Sequence, residues 1–84
     1  MNRTQKDTLA AVFFRPTRSN VRWADIESLV KALGGEVTER SGSRVAMTLN
    51  GVRAIFHRPH PAPTTKKGAL EAVRVFLSNA GVKP

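Results

Sequence analysis

The dipeptide Asn50-Gly51, set between two stretches that alternate apolar and polar residues, constrains this chain more than any other feature. Both residues tolerate the positive φ of a type I′ turn, and Asn-Gly between alternating hydrophobics is the strongest short-range hairpin signal. A turn made of that dipeptide alone pairs Leu49 with Val52, Met47 with Ala54, Val45 with Phe56, and Arg44 with His57. Side chains alternate along a strand, so Val45, Met47, Leu49, Val52, Ala54 and Phe56 share a face that reads as core. Arg44, Ala46, Thr48, Arg53, Ile55 and His57 share the other, an open basic face with an imidazole opposite a guanidinium.

The flanking segments fix what the hairpin packs against. Trp23, Ile26, Leu29, Val30 and Leu33 recur at helical spacing, and Gly34-Gly35 supplies the stop. Glu36 to Arg40 alternates about Val37 and predicts a short strand, which Ser41-Gly42-Ser43 turns into the hairpin. After a proline-broken loop from Arg58 to Pro63, Thr64 or Thr65 is placed to cap a last helix. That helix turns Leu70, Val73, Phe76, Leu77 and Ala80 inward and ends at Gly81. Ahead of these elements, Thr8 to Phe14 predicts a short helix with Leu9, Val12 and Phe13 on one side; Pro16 breaks it and RPTRSN reads as a linker. The order is helix, strand, strand, strand, helix, with an extra helix in front. An α+β fold follows, a three-stranded antiparallel sheet carrying both helices on one face and leaving the other open. Residues 1–20 are expected to form the N-terminal helix and linker, and residues 21–84 the α-β-β-β-α domain.

Composition limits what such a fold does. A chain of 84 residues makes one domain with about 60% of its surface buried, a thin core without room for a deep cofactor cavity. No cofactor is expected. A net charge of +8 points to a polyanionic partner, nucleic acid first and acidic protein second. The chain has no cysteine, which excludes disulfides and thiolate metal sites and fits a cytoplasmic location. No apolar run approaches the ~20 residues of a membrane span, so no membrane partner is expected. The opening MNRTQKDTLAAVFF lacks the long apolar stretch and cleavage site of a signal peptide.

The order of elements from Ile26 to Val82, Ser41-Gly42-Ser43 before the hairpin, Pro59-His60-Pro61 after it, Lys66-Lys67-Gly68 and the ending Ala80-Gly81-Val82 together resemble a HicA-type toxin of type II toxin–antitoxin systems. That resemblance implies a fold like the double-stranded-RNA-binding domain, and a small basic ribonuclease that cleaves messenger RNA and is neutralised by a HicB-type antitoxin. It covers about the last sixty residues, a usual size for a small domain, and leaves the N-terminal helix outside. The family pattern runs glycine, serine, then a catalytic histidine. Gly42 and Ser43 match, as does Gly68 further on, but the third place is Arg44. His57, opposite Arg44 across the hairpin, can bring an imidazole to nearly the same space from the neighbouring strand. His60 matches the proline-flanked histidine neighbourhood of the family, and its alternative task is to position a phosphate.

Cutting RNA without a metal needs a base that takes the 2′-hydroxyl proton near neutral pH, and cations for charge developing on the phosphate. Histidine is the side chain whose ordinary pKa suits the first task. His57 and His60 are therefore the candidate catalytic residues, and Arg44, Arg53, Arg58, Lys66 and Lys67 the candidate phosphate contacts. Thr64 and Thr65 at a helix N-terminus add hydroxyl and backbone donors. The bland alternatives are a strand-end His57 bonded to a carbonyl and a His60 held by its prolines in a fixed loop. No metal site is expected, because His57 and His60 have no carboxylate or cysteine close in sequence. Ser43, His57 and Asp25 could be written as a triad, but such common residues prove nothing without geometry. Trp23, Phe56 and Phe76 sit at apolar-periodic places and read as core rather than as base-stacking platforms. The remaining alternatives to a nuclease are a noncatalytic RNA-binding module, decayed when arginine took the histidine place, and a basic ribosome-associated protein.

Overall fold

The computed structural model describes residues 1–84. In chain order it contains α1 (Arg3–Phe13), α2 (Trp23–Ala32), β1 (Glu36–Glu39), β2 (Arg44–Leu49), β3 (Val52–His57) and α3 (Lys67–Asn79). The strands form one antiparallel sheet in the order β1-β2-β3. This is the α+β arrangement the sequence predicts, with the extra helix in front.

The hairpin forms as its turn chemistry dictates. Asn50 and Gly51 adopt φ of 49° and 79°, the left-handed pair of a type I′ turn. Leu49 pairs with Val52, and the ladder runs in register to Arg44 opposite His57. Val45, Met47, Leu49 and Phe56 are buried, Val52 and Ala54 half-buried. On the other face Arg44, Thr48, Arg53, Ile55 and His57 are exposed. Ala46 departs from that pattern: it lies on the open face of the central strand between Thr38 and Ile55, whose larger side chains shield it to 4% exposure. The Asn50 amide donates to the Ala80 carbonyl (2.8 Å), so the hairpin tip caps the end of α3.

The buried sheet face meets Ile26, Leu29 and Val30 of α2 and Leu70, Val73, Phe76 and Leu77 of α3 in one core. Phe56 links the layers, with its ring centroid 5.8 Å from Trp23 and 5.9 Å from Phe76. These aromatics are core, and none of them offers a face to a base. Each buried aliphatic or aromatic side chain here contributes about 1.5–3 kcal/mol by leaving water.

Two element boundaries differ from the sequence expectation. Helix α1 begins at Arg3 instead of Thr8, because Asn2 and Gln5 form a reciprocal capping box: the Gln5 N–H donates to Asn2 Oδ1 (2.8 Å) and the Asn2 N–H to Gln5 Oε1 (2.9 Å). Helix α3 is not capped by Thr64 or Thr65; its N-cap is Lys66, with no side-chain capping bond. The threonines are diverted into a short backbone pairing with the segment ahead of α2. The Thr65 N–H donates to Val21 O (2.8 Å), the Trp23 N–H to Pro63 O (3.0 Å), and Arg22 bridges Thr64.

Helix α1 packs on α2 and α3 and is latched by Arg74 of α3. The Arg74 guanidinium, 6% exposed, donates through Nε to the Val12 carbonyl (2.8 Å) and through Nη2 to Phe14 O (3.2 Å) and Thr17 Oγ1 (3.0 Å). Thr17 passes the contact on, its hydroxyl donating to Glu71 Oε2 (3.1 Å).

Gly35 sits where β1 leaves α2, and a Cβ there would lie 2.7 Å from the Thr48 carbonyl oxygen and 2.8 Å from Val30 Cγ1. The obstruction is sheet backbone, which cannot step aside without breaking the β1–β2 ladder. Gly35→Ala is therefore expected to destabilise the fold by roughly 1–3 kcal/mol in urea unfolding, the usual cost of overpacking.

Candidate functional site

The end of β3, the loop after it and the start of α3 enclose a groove of about 470 Å³. Its walls include Ser19, His57, His60, Thr64, Thr65 and Lys66. Each side chain arrives for a local reason. His57 is the last residue of β3, on the open face by alternation and exposed. His60 stands exposed in the loop that Pro59, Pro61 and Pro63 keep out of regular structure. Lys66 is the N-cap of α3. The pairing of residues 21–23 with 63–65 holds the far wall and brings the N-terminal segment, through Ser19, to the rim.

The groove thus gathers both histidines, Arg58, Thr65 and Lys66 from the candidate set. Lys67 follows as the first residue of α3 and is exposed; Gly68 is the next. Arg53 lies on the open sheet face, further along β3. Gly42 and Ser43 form the exposed turn before β2, joined to the groove wall where the Arg58 N–H donates to Ser43 O (2.8 Å).

Arg44 and Arg58 are differently engaged. Arg44 is the cross-strand partner of His57, but its guanidinium folds back on its own turn, with Nη2 at 2.7 Å from Ser41 Oγ and Nε at 3.3 Å from Ser41 O. Arg58 is held by two carboxylates: Nη1 donates to Glu39 Oε1 (2.6 Å), while Nε (3.1 Å) and Nη2 (3.0 Å) reach Glu27 Oε2. The same Glu27 oxygen accepts the Trp23 indole N–H (2.6 Å). These hydrogen bonds, to Glu39 first and Glu27 second, push the Arg58 guanidinium above its usual pKa. With its charge matched in this way, Arg58 ties the root of the loop to α2 and β1 and so sets the spacing of His57 and His60 on either side. Glu27 and Glu39 are the residues that sequence reasoning missed. They are far from Arg58 in the chain, and only the fold brings them together.

Two further features bear on the chemistry. The first turn of α3 contains no acidic residue and no capping side chain, so its backbone donors face an uncompensated positive helix end. Thr65 is 1% exposed, and its Oγ1 is the one buried side-chain polar atom in the protein without a hydrogen-bond partner. A second depression of about 500 Å³ lies between α1 and the start of α2; there Asp7 and Asp25 offset Arg18 and Arg22, and no histidine lines it. The groove beside α3 has cations and histidines in its lining and no carboxylate, so it is the better polyanion site. No three histidine, aspartate or glutamate side chains cluster anywhere as metal ligands would. No helix is long and apolar enough to cross a membrane.

The family model described as "HicA toxin of bacterial toxin-antitoxin" matches residues 23–82, from the first residue of α2 to just past α3. No curated protein and no solved structure matches the chain.

Proposed function

The chain belongs to the HicA toxin family and is a toxin of a toxin–antitoxin system; on that premise we propose that it acts on messenger RNA in the cytoplasm as a metal-independent endoribonuclease, and that a HicB-type antitoxin neutralises it. The observation that carries this reading is the meeting of His57, His60 and Lys66 in one groove at the N-terminus of α3, in a chain of net charge +8. In the proposed step His57 takes the proton of a ribose 2′-hydroxyl and the 2′-oxygen attacks the adjacent phosphorus. The 5′-oxygen leaves with a proton from the His60 imidazolium, giving a 2′,3′-cyclic phosphate and a free 5′-hydroxyl. Lys66, Lys67 and the N–H groups of the first turn of α3 stabilise the charge that develops on the phosphate. Arg53 and Arg44 extend the positive track along the open sheet, where exposed Ile55 (45%) also offers an apolar contact to an acidic antitoxin surface.

The position of Arg44 supports a second reading. Where the family pattern has histidine this chain has arginine, so the domain would bind RNA by shape and backbone charge without cutting it. Purified full-length protein incubated with RNA separates the two. The first reading predicts fragments ending in cyclic phosphate, formed equally in the presence of EDTA, together with growth arrest on induced expression. Intact RNA at every pH tried, with harmless expression, leaves the noncatalytic reading.

A further inference from the structure

We propose that the N-terminus of α3 is a seat for a single phosphate group, built from the Thr65 hydroxyl and the free N–H groups of Lys67, Gly68 and Ala69, and completed by Ser19. The proposal rests on the RNA reading above and assigns the point at which one backbone phosphate is gripped. Four observations converge there. The start of α3 has neither a capping side chain nor an acidic residue, so its first-turn donors are unclaimed. The neighbouring Thr65 hydroxyl is buried and orphaned, an arrangement that native proteins avoid unless a partner arrives. Gly68, in that first turn, has nothing within 4 Å of where a Cβ would be. Packing therefore does not require glycine, whereas close approach of an anion to backbone N–H does. Ser19 and Lys66 line the same groove, the first from a segment outside the family match and the second as a cation. The N-terminal extension thus has a part in the site as well as in the fold.

The seat makes a prediction in which stability and binding move in opposite directions. Thr65→Val removes an unpartnered buried hydroxyl, and Gly68→Ala puts a better helix former into open space, so neither lowers the melting temperature. Both weaken phosphate binding: Thr65→Val by about tenfold or more, through the loss of one charge-assisted hydrogen bond, and Gly68→Ala by placing a methyl group in the space that the anion needs to approach the backbone. Neither alters net charge, so a loss of binding cannot come from weaker long-range attraction. The test uses the full chain with inorganic phosphate, followed by backbone amide NMR, and with a short RNA, followed by fluorescence anisotropy. In the wild type the amides of Lys67, Gly68 and Ala69 shift saturably with phosphate, and both variants lose phosphate and RNA affinity while their melting temperatures hold or rise. Ser19→Ala shows a smaller loss of the same kind. Amides that ignore phosphate, or variants that bind phosphate and RNA like the wild type, overturn the seat. Saturable phosphate binding in a protein that neither binds nor cuts RNA upholds the seat and fails the RNA reading. RNA binding that both variants retain does the reverse.

Discussion

If the proposed ribonuclease activity holds, His57→Ala is expected to lower RNA cleavage by about 10²–10⁴-fold, the contribution of a positioned general base, with a melting temperature within experimental error of the wild type. The contrast follows from where the residue sits. His57 closes the ladder opposite Arg44, is exposed, and its imidazole makes no hydrogen bond within the protein, so its removal opens no cavity and orphans no partner. Surface residues of that kind change stability by less than about 0.5 kcal/mol. A large loss of rate without loss of stability therefore assigns the effect to chemistry. His60→Ala is the companion variant: with His60 proposed as the proton donor to the leaving oxygen, it is expected to slow cleavage too. If it alone abolishes activity while His57→Ala is harmless, the base lies in the loop. Arg44→His restores the residue type of the family pattern at the strand opposite. In an enzyme already served by His57 it changes little, whereas in a decayed module it creates cleavage where there was none.

Arg74→Ala is the substitution expected to cost the fold most, roughly 3 kcal/mol, or about 12 °C or more in melting temperature for a chain of this size. Arg74 satisfies the carbonyls of Val12 and Phe14 and the Thr17 hydroxyl from a position 6% exposed to solvent. Those carbonyls close α1, where the helix leaves acceptors without intrahelical donors and its dipole favours a cation. Truncation strips three acceptors of their donor and opens a void beside α3. Relief of the guanidinium's own burial cost offsets part of this. Arg74→Met refills the volume but supplies no donor, so it is expected to recover only a minor part of the loss. In both variants the amides of α1 should exchange with solvent much faster than those of β2. An unchanged melting temperature in Arg74→Ala would mean that α1 is not held by this latch.

The parts of the fold that were legible in sequence are those set by near neighbours. Asn50-Gly51 imposes its turn within two residues, and period-2 alternation on each side then allows one register, because a slip would drive Arg53 and His57 into the core. The stripe from Trp23 to Leu33 and the glycines after it were equally local. The opening turns of α1 lack apolar periodicity, so the pattern marks only its second half, although Asn2-x-x-Gln5 carries the capping-box signature. The threonines before α3 have a local preference for the capping position, which a long-range pairing with Val21 overrides. The site divides along the same line. Both histidines and Lys66 were legible as residue types that suit the chemistry. The role of Arg58 was not, since Glu27 and Glu39 are 31 and 19 residues away in the chain. Ser19 gave no signal at all: a serine in a linker is unremarkable until the backbone pairing carries it to the groove.

The groove beside α3 as the place where RNA is held is tested most directly by mapping a short single-stranded RNA onto the full-length protein by amide and imidazole NMR at saturation. The largest shifts are expected on His57, His60, Thr65 and Lys66 through Ala69, fading towards the hairpin tip, with α1 unmoved. Shifts confined to the Asp7–Asp25 depression or to the far end of the sheet, with both imidazoles unchanged, would contradict it.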